Sequence, residues 1–160
     1  MTVETIMFKP SDWVPNNQRL PVLRHEAVLP GGEEFEAVFA ENGWSGIWKD
    51  GVFDFQHYHT GAHEVLGVKR GTATLLIGGP SGLQFKVSRG DCLILPAGTG
   101  HQNLGSSEDF QVVGAYPPGQ PADIQRSAAT DAMLLTIASL PLPLTDPIQG
   151  SRGTLLDEWC

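Results

Sequence analysis

The sequence has no long hydrophobic run and only two cysteines among its 160 residues. No apolar stretch approaches the ~20 residues that a membrane-spanning helix requires, so we expect no membrane partner. Residues 1–13 lack a basic region followed by an apolar stretch, which argues against a secretory signal peptide. Cys160 is the final residue and Cys92 is the other cysteine, so a disulfide framework is not expected and a reducing cytoplasm fits best.

Basic residues are also scarce, since 10 Lys and Arg stand against 18 Asp and Glu and the formal net charge is −8. Nucleic-acid affinity comes mainly from Lys and Arg neutralising phosphates, so the charge argues against a nucleic-acid-binding protein. The expected partners are a small-molecule ligand and a second copy of the chain, as a homodimer. The length is that of one domain with a substantial hydrophobic core.

Changes in residue composition along the chain divide this one domain into three segments. Residues 1–43 predict an extended arm, through the proline-containing stretch 15–23, and then a short helix at about 33–42 that begins with glutamates. Residues 44–116 are predicted to form the core of a barrel. Residues 117–160 predict a helix at 127–140, which Pro141 ends, and a proline-rich tail that extends over the surface or a partner.

The middle segment is rich in β-branched and aromatic residues and is interrupted by turns such as KDG and GGPSG. Many short strands at this spacing are typical of an all-β sandwich or barrel. The predicted strands are 44–49, 52–59, 64–70, 72–77, 83–87, 91–95, 101–104 and 110–116.

Histidine is rare as well, yet three of the five histidines lie between residues 57 and 63. Side chains alternate between the two faces of a strand, so His57 and His59 share a face with Phe53 and Phe55. Glu64 begins the returning strand opposite this pair, and His101 follows a later turn. Three imidazoles and one carboxylate can hold a divalent first-row metal and leave coordination positions open.

These residues resemble the two motifs of the cupin superfamily. The first motif reads Gly51, His57-x-His59, Glu64 and Gly71, and the second reads Gly90, Pro96-x-Gly98 and His101. One departure is Gly105, where the second motif usually has asparagine; that asparagine is not a metal ligand in the family. The resemblance implies a jelly-roll barrel of roughly six to eight antiparallel strands in two sheets, with short flanking helices. It also implies one divalent ion (Fe, Mn, Ni or Zn) at His57, His59, Glu64 and His101.

A closer resemblance covers nearly the whole chain. NGW at 42–44, HYH followed by HEVLGV, PAGTGHQNLGSSEDFQVVGAYPPGQ and the PLPLTDP tail are similar to the YjlB-like group of small, single-domain, RmlC-like bacterial cupins. The superfamily implies a metalloenzyme acting on a small polar molecule, with a dioxygenase as the first choice and an isomerase or lyase next. The alternatives are a non-catalytic, metal-dependent sensor or binder of small ligands, and a structural cupin. Because the chain retains all four candidate ligands, a structural cupin is disfavoured.

Further side chains complete the expected site. Phe53, Phe55, Val68 and Tyr116 are predicted to line a substrate pocket. Strand alternation directs His63 away from the metal, which leaves open a catalytic proton shuttle, a cap of the turn, and a hydrogen bond to a neighbouring strand. His25 is predicted at the surface or an interface, and Cys92 as a buried, inert thiol.

Overall fold

The structure is a computed structural model that describes residues 2–160, apart from the side chain of Thr2; Met1, in the predicted arm, lies outside the described residues. The described residues form nine strands and three α-helices. In chain order these are β1 (Thr2–Ile6), β2 (Val22–Glu26), α1 (Phe35–Glu41), β3 (Ser45–Asp50), β4 (Glu64–Arg70), β5 (Thr72–Ile77), β6 (Leu83–Ser88), β7 (Cys92–Leu95), β8 (His101–Ser106), β9 (Gln111–Tyr116), α2 (Asp131–Ser139) and α3 (Thr154–Glu158). Within residues 2–160, each helix is too short or too polar to cross a membrane.

The strands form two antiparallel sheets with their apolar faces together. One sheet has the order β1-β2-β7-β4-β9-β3 and the other β6-β5-β8. Leu66 and Val68 of β4 pack in one cluster with Leu75 of β5 and Phe85 of β6, so the space between the sheets is an apolar core. The predicted all-β, double-sheet jelly roll is therefore confirmed.

A second core covers the outer face of the larger sheet. Because side chains alternate along a strand, Val65 of β4 lies on the face opposite Leu66. It packs with Phe35 and Phe39 of α1 and with Trp159 from the end of the chain. Both faces of β4 are buried, which fixes the position of its first residue, Glu64.

The two terminal segments are more structured than predicted. The arm supplies β1 and β2, and β2 pairs with β7 through Leu23 and Ile94, so the arm covers a sheet edge within the same chain. His25 was predicted at the surface or an interface, and the surface position is wrong. The residue is 2% exposed and lies opposite the buried Cys92. The tail contains α3, a helix that was not predicted because the prolines of the tail favoured an extended segment.

One predicted strand is wrong. Residues 51–56 belong to no strand. Two isolated bridges follow: His57 pairs with His101 of β8, and Tyr58 pairs with Gln125, which lies in a loop outside both sheets. The alternation of apolar and polar residues in GVFDFQ suggested a strand. In the structure, Phe53 and Phe55 of this loop stack on each other. The other predicted barrel strands and the two predicted helices are present with boundaries shifted by up to four residues.

We expect Asp146→Ala to destabilise the fold by ~3 kcal/mol, because buried donors left without acceptors cost about 1–3 kcal/mol each. Asp146 is 0% exposed and accepts hydrogen bonds from the backbone N–H groups of Ile148 (2.7 Å), Gln149 (3.0 Å) and Leu155 (3.1 Å). Urea unfolding would measure the loss. Asp157→Ala, at an exposed position of α3, is the control and should cost less than ~0.5 kcal/mol. Equal effects of the two changes would contradict the prediction.

Candidate metal centre

Three histidines converge at one end of the jelly roll. His57 and His59 come from the segment before β4, and His101 is the first residue of β8. The bridge between His57 and His101 has backbone hydrogen bonds of 3.2 and 2.9 Å and brings the two segments together. One nitrogen from each of the three rings lies within 4.8 Å of the others, and all three residues are buried. This spacing suits a group of ligands around a single ion.

The backbone fixes the orientation of each ring. The Nδ1–H groups of His57 and His101 donate to the carbonyls of Phe55 and Thr99, both at 3.0 Å, and that of His59 donates to the carbonyl of Asp123. With the proton held on Nδ1, the lone pair of a neutral ring is on Nε2. Metal-ligating histidines commonly have this outer hydrogen bond, which sets both tautomer and ring direction.

Glu64 supplies an oxygen at the same point. Its Oε1 atom is 3.3 Å from Nε2 of His59 and 3.3 Å from Nε2 of His101. Within residues 2–160, no group makes a hydrogen bond of good geometry to the buried Oε1 of Glu64 or to Nε2 of His101. Buried polar atoms rarely lack partners, and a divalent cation would satisfy both atoms at once. The donor set of three nitrogens and one oxygen therefore fits a first-row transition metal.

The carboxylate also determines the protonation of the rings in the absence of metal. Burial alone would raise the pKa of Glu64, but His59 and His101 hold it well below its usual range. Burial disfavours charge on His59, yet the Glu64 carboxylate outweighs burial and raises the pKa of His59 to about 9. Burial and the neighbouring His101 lower the pKa of His57 to about 3. At pH 7 His57 is neutral, whereas His59 carries a proton that a metal ion must displace.

A cavity of about 370 Å³ lies beside the four ligands. Two predicted pocket residues, Phe53 and Tyr116, line it, and the Tyr116 hydroxyl accepts a hydrogen bond from Nε1 of Trp48 (2.8 Å). The structure places the other two elsewhere: Phe55 stacks on Phe53 outside the lining, and Val68 lies in the core between the sheets. Leu66, nearer the ligand Glu64 on the same strand, lines the cavity where Val68 was expected.

His63 points away from this cavity. It is 0% exposed, its ring lies 4.9 Å from that of Trp159, and its Nδ1 accepts a hydrogen bond from the N–H of Ala97 (2.9 Å). Burial lowers its pKa to about 4, so the ring is neutral at pH 7 and able to accept. The geometry favours the hydrogen bond between neighbouring segments, which ties the Glu64 strand to the turn before His101, over the proton shuttle.

Asp123, which no sequence motif singles out, holds the histidine segment from outside. Its carbonyl accepts from His59, and its carboxylate accepts from Thr60 N–H (2.8 Å), Thr60 Oγ1–H (2.6 Å), Gly61 N–H (2.9 Å) and Gln125 Nε2–H (2.9 Å). Burial would raise the pKa of Asp123, but these hydrogen bonds lower it to about 2. The contacts with His59, Thr60 and Gly61 join residues about sixty positions apart, and the loop PPGQPADIQR carries no pattern that reveals them.

We expect Asp123→Ala to weaken metal binding by about tenfold, the low end of the range for losing an outer partner of a ligand. The backbone carbonyl that accepts from His59 remains in this variant, but the carboxylate that holds Thr60 and Gly61, next to His59, is lost. Chelator competition would measure the change. Asp123→Asn keeps an oxygen for the Thr60 and Gly61 N–H groups and should recover part of the affinity. The control is Asp109→Ala, which removes an exposed carboxylate that accepts from Ser107. Affinity unchanged in Asp123→Ala would contradict the prediction.

Comparison with known proteins gives one relative that covers almost the whole chain. The chain is 35% identical over 158 residues to the uncharacterized protein YjlB of Bacillus subtilis (strain 168), covering 98% of this chain and 96% of YjlB. No protein-family model matches the chain.

Solved structures give more distant likenesses. One is an acireductone dioxygenase from Bacillus anthracis with a cadmium ion in its active centre, with 22% identity, a TM-score of 0.36, and coverage of 52% of this chain and 56% of the enzyme, little more than half its length. Another is RmlC from Streptococcus suis in complex with dTDP-D-xylose, with 13% identity, a TM-score of 0.35, and coverage of 83% and 74% respectively.

Proposed function

The chain belongs to the family of YjlB, and from this premise we propose that it is a cupin metalloenzyme acting on a small molecule. The proposed ligands of its single divalent ion, which is Fe, Mn, Ni or Zn, are His57, His59, Glu64 and His101. One observation carries the proposal: three rings held in the same tautomer meet, beside a cavity, a carboxylate whose buried Oε1 atom has no hydrogen-bond partner among the described residues. Four protein ligands leave positions through which such an ion can bind substrate.

The bound ion would supply Lewis acidity, or electron transfer to dioxygen if it is iron. The protein would contribute orientation and exclusion of water. Leu66 and Val52 give the cavity apolar walls. The Tyr116 hydroxyl accepts from Trp48 and places its O–H beside the ligand Glu64, where it would donate to an oxygen of a metal-bound substrate. Burial, together with Glu64, raises the pKa of Tyr116, so this hydroxyl keeps its proton at neutral pH.

Among the reactions open to such a site, we place dioxygenation first and isomerisation or lyase chemistry second. An isomerase or lyase needs a side chain that removes a proton from the substrate. Among the described residues that line the cavity, the titratable groups besides the four ligands are Tyr116, whose pKa is raised, and the exposed Asp50. Dioxygenation at iron relies less on such a base. The scarcity of side chains that could act as a base also supports the second candidate, a non-catalytic, metal-dependent binder of small ligands.

Metal analysis followed by oxygen uptake tests the proposal. The protein loaded with Fe(II) should consume oxygen with at least one member of a panel of diols, diketones, thiols and phenols, and His57→Ala should abolish both the metal and the uptake. A stoichiometric metal without uptake or turnover of any probe would favour the binder. A wild-type protein that holds no divalent metal would overturn both functions.

We further propose a cytoplasmic homodimer. Both cysteines are free, which suits a reducing compartment. Leu135 of α2 and Leu144 of the tail are 69% and 93% exposed, which suits surfaces that a second copy could cover. Light scattering after size-exclusion chromatography would test the dimer, and a monomer at micromolar concentration would contradict it.

A further inference from the structure

The cavity is polar at one end and apolar over the rest of its surface. The four ligands form the buried, polar end. The remaining wall consists mostly of apolar side chains, namely Trp48, Val52, Phe53, Leu66, Ala122 and Ile124. Tyr116 and the exposed Asp50 are the other polar members of the described lining. A ligand whose polar groups are spread around its body would leave most of them without a partner, which is unfavourable.

The mouth of the cavity presents a fixed aromatic ring. Phe53 is 47% exposed, although it lines the cavity. Its ring stacks on Phe55, with centroids 4.7 Å apart and planes at 18°, and the Arg126 guanidinium lies 3.7 Å from the centroid of the Phe55 ring. Ile124, 50% exposed, also lines the cavity. Exposed apolar side chains held at a concave site are typical of a surface that binds an apolar ligand.

We infer that the ligand is a small compound with a flat, apolar body and adjacent oxygen donors at one end, as in a monocyclic aromatic diol or hydroxy acid. The inference rests on the proposed function, since the oxygen donors are assigned to the metal. The aromatic body would lie against Phe53 and Ile124, with the hydroxyl of Tyr116 near the oxygen atoms. The cavity volume, about 370 Å³, is at the small end of the roughly 300–1,000 Å³ found for ligand sites, which suits a single ring.

Calorimetric titration of the Zn(II)-loaded protein tests the inference without turnover, because zinc is redox-inert. The probes are catechol and salicylate, compared with glycerate and glucose, which carry adjacent oxygens on hydroxylated bodies. We expect the aromatic probes to bind at least about tenfold more tightly than the polyhydroxylated ones. Phe53→Ser and Ile124→Ser should weaken aromatic binding by about five- to tenfold while metal content stays unchanged.

Leu83→Ser is the matched control, since Leu83 is 50% exposed like Ile124 but belongs to β6 and is not part of the cavity lining. It should leave binding of every probe unchanged. Glycerate or glucose binding as tightly as catechol, or full aromatic binding in both Phe53→Ser and Ile124→Ser, would overturn the inference and leave the metal site standing. A wild-type protein that fails to retain zinc would instead overturn the proposed function on which the inference rests.

Discussion

In His101→Ala, bound divalent metal is expected to fall from about one ion per chain to near zero, with affinity reduced more than ~100-fold. Loss of an outer hydrogen-bond partner of a ligand typically costs 10- to 100-fold, so loss of the ligand itself should exceed that range. Nε2 of His101 lies 3.3 Å from Oε1 of Glu64, so its removal leaves the carboxylate and two rings around an incomplete centre. Elemental analysis after dialysis and chelator competition would give stoichiometry and affinity.

The chain offers a matched control for this change. His25 is 2% exposed, as His101 is, but it lies on β2 opposite Cys92. His25→Ala should therefore keep its metal, even if truncation of a buried ring lowers the midpoint of thermal unfolding. Equal metal loss in both variants would show that damage to the fold, not loss of a ligand, is responsible. Full metal retention in His101→Ala would refute the proposed centre.

The four candidate ligands could be predicted because each short motif carries its own geometry. Two histidines at i and i+2 lie on one side of an extended chain. Although residues 51–56 form no strand, residues 57 and 58 pair through isolated β-bridges, so the alternation still holds for His57 and His59. The pocket was predicted less well. Alternation along β4 gives the face of Val68 but not its depth, and the cavity ends at Leu66 while Val68 continues into the core.

The features that the sequence did not reveal depend on contacts between distant segments. Strands β1 and β2 are short, and it is the pairing of β2 with β7, about seventy residues away, that places them in the sheet. Asp123 appears as one acidic residue in a proline-containing loop, and its importance follows from where the fold brings it, beside Thr60 and Gly61. The local secondary-structure propensity of a segment indicates neither the pairing of β2 with β7 nor the contacts of Asp123 with Thr60 and Gly61.

The second large effect concerns pH: metal binding at pH 7 should release about one proton per ion from His59. Without metal, Glu64 raises the pKa of His59 to about 9, while the pKa of His57 is lowered to about 3. Below pH 9 the metal must therefore compete with a proton on His59 but not with one on His57. Apparent affinity should rise about tenfold per pH unit from roughly pH 6 to pH 9 and then level off, a total change of ~1,000-fold.

Calorimetry in buffers with different heats of ionisation gives the number of protons released, and chelator competition across pH gives the slope. Glu64→Gln separates the two roles of the carboxylate. The variant loses a ligand, so its affinity falls, but it also loses the charge that holds the proton on His59, so fewer protons should be released at pH 7. An affinity that does not change between pH 7 and pH 9 in the wild type would contradict the pairing of His59 with Glu64. Unchanged proton release in Glu64→Gln would show that the proton comes from a different group.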